Sequence, residues 1–247
     1  APAERSMGKG APVPDESEMF YRVIHPGLDF WNASYFCGSA AVMRRSCLEE
    51  VGGFRGQSIT EDAETAFELH RLGYRSVYVN HPMVCGLAPE SYADYMQQHT
   101  RWAQGMVQIF ILHDPLFVPG LTLAQRLCYF NVCLFWFFGI ARVVYFVAPA
   151  AFLLFGMAIY HAAALQILSY ALPYVVSTFL VTDFFFGRTR RPFFSEIYES
   201  VQSVFLAPAV LSAIRHPHKP SFKVTPKGIA VREEQLNSLS LVFFALL

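Results

Sequence analysis

The sequence predicts an α/β soluble portion joined to an α-helical region that crosses a membrane more than once. Of the 247 residues, 54% are hydrophobic and 15% are charged, whereas an average soluble protein has about 25% charged residues. Residues 1–120 carry 9 Lys and Arg against 14 Asp and Glu, and residues 121–247 carry 10 against 5. The long apolar stretches lie in the second, basic part. This division excludes a disordered or fibrous chain, and it favours a membrane over nucleic acid as the partner.

Two kinds of segment alternate between residues 35 and 80. We predict strands for YFCGSAAVM at 35–43 and SVYVN at 76–80, and helices for SCLEEV at 46–51 and EDAETAFELHRL at 61–72. Gly52 and Gly53 suit the end of the first helix, and Gly73 suits the position after the second. Strands that alternate with helices predict an α/β fold with some parallel pairing.

The second of these helices begins with the triplet Thr60-Glu61-Asp62. Thr60 suits the N-cap position, and the helix N-terminus favours the ionised form of carboxylates in the first turn. Acidic first turns are common in proteins, so the triplet alone favours a structural role over a catalytic one.

The segment at 91–110, SYADYMQQHTRWAQGMVQIF, predicts a long helix because it lacks strand alternation and has no breaker before Gly105. Gln98, Arg101 and Trp102 stand at i, i+3 and i+4 and therefore share one face. An amide, a guanidinium and an indole together suit a phosphorylated sugar. An amphipathic helix with Trp102 at a membrane surface explains the same residues equally well.

Two stretches in the second half are long enough to cross a membrane. Arg142 is the only charged residue between Leu127 and Tyr160, and we predict an interfacial helix up to about Arg142 and a span at 143–160. A second span is predicted at 164–187. The cations that flank the spans are Arg126, Arg188, Arg190 and Arg191. By the positive-inside rule both flanks face the cytosol.

Residues 196–214 predict an interfacial helix, interrupted by Pro208 and followed by a basic stretch that suits anionic lipid headgroups. The last residues, 239–247, would rise about 13.5 Å as a helix, against a hydrocarbon core of about 30 Å. We expect them to begin a further span. A buried helical hairpin in a large soluble protein is the alternative to this membrane arrangement.

The cysteines and the first residues exclude other classes. The five cysteines include no CxxC pair and no spacing with histidine that suits zinc, so neither a disulfide scaffold nor a zinc site is predicted. Residues 1–18 form a polar segment that begins with Ala and has no signal-peptide pattern. We expect the chain to be an internal fragment of a larger protein.

The order of the motifs resembles that of the processive family 2 glycosyltransferases. T-E-D at 60–62 is followed about 36 residues later by Q-x-x-R-W at 98–102, then by paired spans and F-x-V-T-x-K-G at 222–228. The segments FCGSAAVMRR, QRLCY and FKVTPKG bring the chain, from about Glu18 onward, close to the bacterial cellulose synthases. Processive synthases of chitin, hyaluronan or β-1,3-glucan share the core motifs and are the alternative among enzymes.

This resemblance implies an incomplete GT-A-type glycosyltransferase portion joined to a multi-pass membrane region in the bacterial cytoplasmic (inner) membrane. It implies transfer of glucose from UDP-glucose to the non-reducing end of a growing β-1,4-glucan, with translocation of the product. The implied division is a polar segment at 1–18, cytosolic glycosyltransferase at 19–118, an interfacial helix and two spans at 119–187, an interfacial helix and gating loop at 188–238, and the start of a span at 239–247.

The resemblance also implies roles for single residues. Asp62 matches the general base, which would accept the proton of the acceptor hydroxyl as it attacks the anomeric carbon. Gln98 and Arg101 match contacts to the donor diphosphate, and Trp102 matches a platform for the acceptor sugar. The other residues implied to bind substrate are Thr60 and Glu61 of the triplet, Phe36, Cys37 and Gly38 at the acceptor end, and Phe222, Val224, Thr225 and Lys227 in the gating loop.

The cofactors and partners are likewise implied by the resemblance. Members of the family bind a divalent metal and UDP through aspartates that include a D-x-D motif, and this sequence contains no D-x-D. We therefore expect the Mg²⁺ ligands upstream, an inactive isolated chain, and cyclic di-GMP as activator through a domain outside this sequence. The implied partners are UDP-glucose, the glucan chain, the bilayer and a periplasmic or membrane partner subunit, without nucleic acid. A non-catalytic membrane protein that binds sugar nucleotide is the alternative from another class.

Overall fold

The computed structural model describes residues 16–84, 86, 87, 89, 91–157, 162–187, 189 and 192–218. A π-helical turn at Phe20–Ile24 lies between the first two α-helices. The α-helices in these residues are α1 (Glu16–Met19), α2 (His25–Phe30), α3 (Arg45–Glu50), α4 (Glu61–Arg71), α5 (Tyr92–His113), α6 (Leu123–Phe135), α7 (Phe138–Phe155), α8 (Ala164–Phe186) and α9 (Pro192–Arg215).

The strand predicted at 35–43 does not form. Gly38 and Ala40 have φ angles of 68° and 51°, whereas a strand needs φ near −120°. Residues 38–42 are also exposed, so this segment is not the buried strand that its apolar composition predicts.

The strand predicted at 76–80 is replaced by an irregular segment whose amides bond to side chains. The N–H of Ser76 donates to Asn32 Oδ1 at 3.0 Å, and the N–H of Tyr78 donates to Asp29 Oδ1 at 2.7 Å. Alternate amides therefore find partners at the end of α2 rather than on a neighbouring strand. Within the described residues no β-strand is present, so the predicted α/β class is not observed there.

The helices predicted from periodicity do form. α3 ends before Gly52, whose φ is 81°, and α4 ends before Gly73, whose φ is 84°. α4 buries Ala63, Ala66 and Phe67 on its apolar face. α5 begins after Ser91, whose hydroxyl oxygen accepts from the N–H of Asp94, and it continues through Gly105 to His113.

α6 packs onto the part of the chain that contains α2 and α4. A capping box between Thr122 and Gln125 begins the helix, and Gln125 Nε2 also donates to the carbonyl of Asn32 at 2.8 Å. Tyr129 lies edge-to-face on Phe67 with ring centroids 4.9 Å apart. The segment QRLCY of α6 therefore packs this membrane-proximal helix against the core formed by α2 and α4.

α9 packs against both α5 and α7. Leu206 and Val210 of α9 are fully buried in one cluster with Val107 of α5. Arg142 of α7 forms ion pairs with Glu196 and, at 3.0 Å, with Glu199 of α9. The one charge of the first apolar stretch therefore lies at a helix interface.

Three of the described helices are long and apolar enough to cross a membrane: Phe138–Phe155, Ala164–Phe186 and Ser195–Arg215. The first two coincide with the predicted pair of spans, although the first begins and ends about five residues earlier than predicted. The third coincides with the helix predicted to be interfacial. The gating loop at 222–228 and the terminal span at 239–247 lie outside the described residues, and the division into domains stays a prediction.

Candidate active site

Asp62 lies in the first turn of α4, partly buried against the segment that contains Gly38. A Cβ built at Gly38 would lie 3.6 Å from Asp62 Oδ2, and the φ of Gly38 is 68°. The other carboxylate oxygen, Oδ1, accepts from the N–H of Ala63 at 2.8 Å. The structure therefore brings Gly38 and Asp62 together, although 24 residues separate them in sequence.

The surroundings of Asp62 raise its pKa. Burial is the largest cause, the N–H of Ala63 acts in the opposite direction, Glu61 adds to the rise, and the Arg101 guanidinium opposes it. The sequence-based expectation that the helix N-terminus favours the ionised form is thus outweighed by burial. A higher pKa makes the carboxylate a stronger proton acceptor.

Thr60 joins α4 to α5. It occupies the N-cap position, but in the described structure its hydroxyl makes no capping hydrogen bond. A Cβ built at Gly105 would lie 2.5 Å from Thr60 Cγ2 and 2.7 Å from the Thr60 backbone N. Only glycine permits this approach, so Thr60 packs against α5 about one turn after Arg101.

Gln98, Arg101 and Trp102 lie on α5, as predicted. Trp102 is 37% exposed, and its ring lies 4.9 Å from that of buried His99, which packs at 3.9 Å against Tyr95. This stack supports one side of the indole and leaves part of it accessible. The positive charge of the Arg101 guanidinium opposes the rise in the pKa of Asp62.

A buried hydrogen-bond network holds the loop that precedes the triplet. Glu64 is fully buried and accepts hydrogen bonds from the N–H of Ser58 at 2.7 Å and from its hydroxyl at 2.9 Å. His113 Nε2 lies 3.1 Å from Glu64. Burial raises the pKa of Glu64, but the bonds from His113 and Ser58 lower it by more, so the net shift is downward. Glu64 therefore holds the loop in front of Asp62.

Sequence reasoning missed Gly105 and Gln108. Gln108 is 1% exposed; its Oε1 accepts from the N–H of Ile59 at 3.0 Å, and its Nε2 donates to the carbonyl of Pro217 at 2.7 Å. Gly105 and Gln108 stand at i+4 and i+7 from Arg101 and continue the same stripe of α5. This helical spacing is the sequence pattern from which both residues could have been predicted to share the face of Arg101.

Cys37 lies beside His25, with 3.4 Å between Sγ and Nε2. Burial raises the pKa of the Cys37 thiol to about 12, and the charge of Asp62 contributes. A thiol with this pKa stays protonated at neutral pH, so it is poorly suited to act as a nucleophile. The centroid of the Phe36 ring lies 6.1 Å from that of Phe54.

Among the side chains that the structure describes, no three His, Cys, Asp or Glu residues are grouped so as to hold a metal ion. We therefore assign no step to Mg²⁺ at these residues. Phe222, Val224, Thr225 and Lys227 lie outside the described part of the chain, and their predicted roles are untested.

Comparison with known proteins identifies relatives of this chain. Residues 44–184 match the sequence profile of the family described as "Cellulose synthase". The chain is 44% identical over 227 residues to the cellulose synthase catalytic subunit [UDP-forming] of Pseudomonas fluorescens, which covers 92% of the chain and 31% of that protein. It is 39% identical over 236 residues to the subunit of the same name from Komagataeibacter sucrofermentans, covering 96% and 31%. It is also 39% identical over 227 residues to cellulose synthase 1 of Novacetimonas hansenii, covering 92% and 15%. The chain thus spans about a third or less of the length of these relatives.

Proposed function

The chain belongs to the cellulose synthase family, and we propose that the complete enzyme transfers glucose from UDP-glucose to the non-reducing end of a growing β-1,4-glucan. The observation that carries this proposal is the position of Asp62. Its carboxylate is partly buried, lies beside the backbone of Gly38, and has a raised pKa, a rise that the charge of Arg101 opposes.

The chemistry needs one displacement. The 4-hydroxyl oxygen of the acceptor attacks the anomeric carbon, Asp62 accepts the hydroxyl proton, and the bond from the anomeric carbon to the UDP oxygen breaks with its electron pair on UDP. Inversion gives a β-linkage from an α-linked donor without a covalent intermediate. Arg101 and Gln98 would bind the departing diphosphate, because a guanidinium and an amide donate hydrogen bonds to phosphate oxygens. Trp102 would support the acceptor ring.

The test uses the complete enzyme in proteoliposomes with UDP-[¹⁴C]glucose. We expect an insoluble labelled product that a β-1,4-glucanase digests and that linkage analysis reports as 4-linked glucose. Asp62→Asn should lower the rate by about 10²–10⁴, because it keeps the size of the side chain and removes the proton acceptor. UDP binding should change little.

Asp114→Asn is the matched control, because Asp114 is exposed at the left-handed end of α5, a conformation that Asn also adopts. It should retain full activity. More than about a tenth of the activity in Asp62→Asn would contradict the assigned base. A 3-linked or N-acetylated product would contradict the proposed polymer.

We further propose that the complete protein is a multi-pass protein of the bacterial cytoplasmic membrane, with its catalytic portion in the cytosol. The three helices that are long and apolar enough to span support membrane association. In a cysteine-free background, Ala163→Cys should react with an impermeant thiol reagent added to intact cells, and Thr189→Cys should not. The reverse pattern would contradict this orientation.

The remaining proposals concern parts beyond the described residues. We propose that upstream aspartates would hold Mg²⁺, which would supply positive charge to the diphosphate of UDP. We also propose that cyclic di-GMP activates the complete enzyme and that a periplasmic or membrane subunit accompanies it. Phe222, Val224, Thr225 and Lys227 are proposed to form a gating loop over the nucleotide. UDP-dependent protection of residues 219–228 from protease would support that loop, and cleavage that is indifferent to UDP would contradict it.

A further inference from the structure

Gln108 connects three parts of the chain that are distant in sequence. It is buried on α5, 49 residues from Ile59 and 109 residues from Pro217, and its amide group bonds to the backbone of both. Ile59 immediately precedes the triplet that contains Asp62, and Pro217 follows α9. One side chain therefore joins the loop before the general base to the end of another helix.

The loop before Asp62 is otherwise held largely by its own helix. The N–H of Arg55 donates to Thr65 Oγ1 at 2.9 Å, and Ser58 donates twice to Glu64. Thr65 and Glu64 both belong to α4, so these bonds fix the loop relative to α4. Through Glu64 the same network reaches α5 only at its last residue, His113, whose Nε2 lies 3.1 Å from Glu64 Oε1.

Contacts from the middle of α5 add a second, direct constraint on the loop. Gly105 packs against Thr60, and one turn later the amide oxygen of Gln108 accepts from Ile59. Arg101 lies on the same stripe, seven residues before Gln108, which is about 10.5 Å along a helix. The stripe that would bind the donor diphosphate therefore also holds the loop that precedes the base.

We propose that Gln108 is a positioning residue, which sets the distance between Asp62 and the donor-binding face of α5 through Ile59 and Pro217. This inference rests on the proposed function for the identity of the reaction. The positioning of the loop by Gln108 does not depend on which reaction is catalysed. Substrate need not contact Gln108, because both ends of its amide bond to backbone groups and the side chain is 1% exposed.

The experiment compares Gln108→Met and Gln108→Glu in the complete enzyme. Met has a similar length, cannot donate to Pro217, and offers Ile59 only a weak sulfur acceptor. The protonated carboxyl introduced by Gln108→Glu can accept from Ile59 and donate to Pro217, whereas its ionised form cannot donate. We expect Gln108→Met to lower kcat at least tenfold, with KM for UDP-glucose changed less than threefold. Gln108→Glu should recover activity relative to the wild type as the pH falls from 8 to 6.

Gln202→Met is the matched control. Gln202 is 2% exposed and its Nε2 donates to Tyr95 Oη of α5 at 3.2 Å, so the variant also loses a buried hydrogen bond between α9 and α5. Its partner Tyr95 precedes Gln108 on α5 by 13 residues, which is about 19.5 Å along a helix, and the kcat of Gln202→Met should stay within about twofold of the wild type. Equal losses of kcat in Gln108→Met and Gln202→Met would overturn the proposal, because general loosening of the helix pair would then explain both.

Hydrogen exchange gives a readout that does not depend on the reaction. Peptides that cover residues 55–61 should exchange at least tenfold faster in Gln108→Met than in the wild type, and at the wild-type rate in Gln202→Met. Unchanged exchange in Gln108→Met would overturn the positioning role even in an active enzyme. If the wild type made no glucan from UDP-glucose, the proposed function would fail, and the exchange result would still decide the role of Gln108.

Discussion

α5 and α8 are almost equal in length, with 22 and 23 residues, but they obtain their stability from different surroundings. α5 buries eight of its residues against α4, α6 and α9. The structure describes all of α8, and no residue of this helix is buried. Leu165, Tyr174 and Phe184 are each more than 70% exposed. A helix that is apolar on all sides and unburied by its own protein needs an apolar solvent. Protein packing therefore stabilises α5, and lipid is expected to stabilise α8.

The largest effect that separates the two helices should come from a charge. Val175→Lys places an ammonium near the centre of α8, where it should cost about 3 kcal/mol of insertion free energy. An assay that scores insertion of α8 by glycosylation of an engineered acceptor site measures this cost. Ile111→Lys introduces the same charge at an exposed position of α5 and should leave insertion unchanged. If Val175→Lys inserted normally, lipid would not be the surroundings of α8.

The next effect should come from packing of α5. Gly105→Ala puts a methyl group 2.5 Å from Thr60 Cγ2, so it should destabilise the fold by an amount near the upper end of about 1–3 kcal/mol and also lower activity. The thermal midpoint in detergent and the rate of glucan synthesis measure the two losses. In Gly27→Ala no described atom lies within 4 Å of the new methyl, and stability should rise slightly. Similar behaviour of the two variants would contradict the close contact between α4 and α5.

Acid should weaken the packed region and spare α8. Burial lowers the pKa of His70 to about 4, from about 6.5 in the unfolded chain. The unfolded state therefore binds the proton more readily, and the stability is complete above pH 6.5 and decreases as the pH falls towards 4. This histidine should account for about 2 kcal/mol of loss at pH 5. Thermal midpoints measured from pH 7 to 5 should fall less steeply in His70→Gln than in the wild type, and parallel curves would refute the assignment.

The smallest effect concerns the helix starts. The hydroxyl of Ser91 caps α5, so Ser91→Ala should cost about 1 kcal/mol. Ala163 occupies the corresponding position of α8 with an extended backbone, and Ala163→Ser can add the missing acceptor. Thermal midpoints should move down for the first variant and slightly up for the second. A downward shift for Ala163→Ser would show that this end of α8 does not tolerate a polar group.

Local patterns predict the helices well, because their causes lie within a few residues. The stripe of Ala63, Ala66 and Phe67 predicts α4, and Gly73 marks its end. The long apolar stretches predict α7 and α8 for the same reason. A periodic pattern predicts a helix without any information about distant residues.

Features that depend on distant partners were not predictable in this way. SVYVN at 76–80 has a strand-like composition, but its amides bond to Asn32 and Asp29, which are more than 40 residues away. The role of Gln108 depends on Ile59 and Pro217, which are 49 and 109 residues away. The residues assigned to substrate came from resemblance, and the structure adds the contact of Gly38 with Asp62 and of Gly105 with Thr60.

The bond between His70 and Tyr129 has a consequence for synthesis on the ribosome. His70 Nδ1 and Tyr129 Oη lie 2.7 Å apart, but 59 residues separate them in sequence. At about 5–20 residues per second, α4 leaves the ribosome roughly 3–12 s before Tyr129 is available to cover it. During that interval the apolar face around Phe67 lacks its partner from α6. The nascent chain therefore reaches its folded arrangement only after the first membrane-proximal helix has been made, and a chaperone that binds exposed aromatic residues has several seconds in which to act.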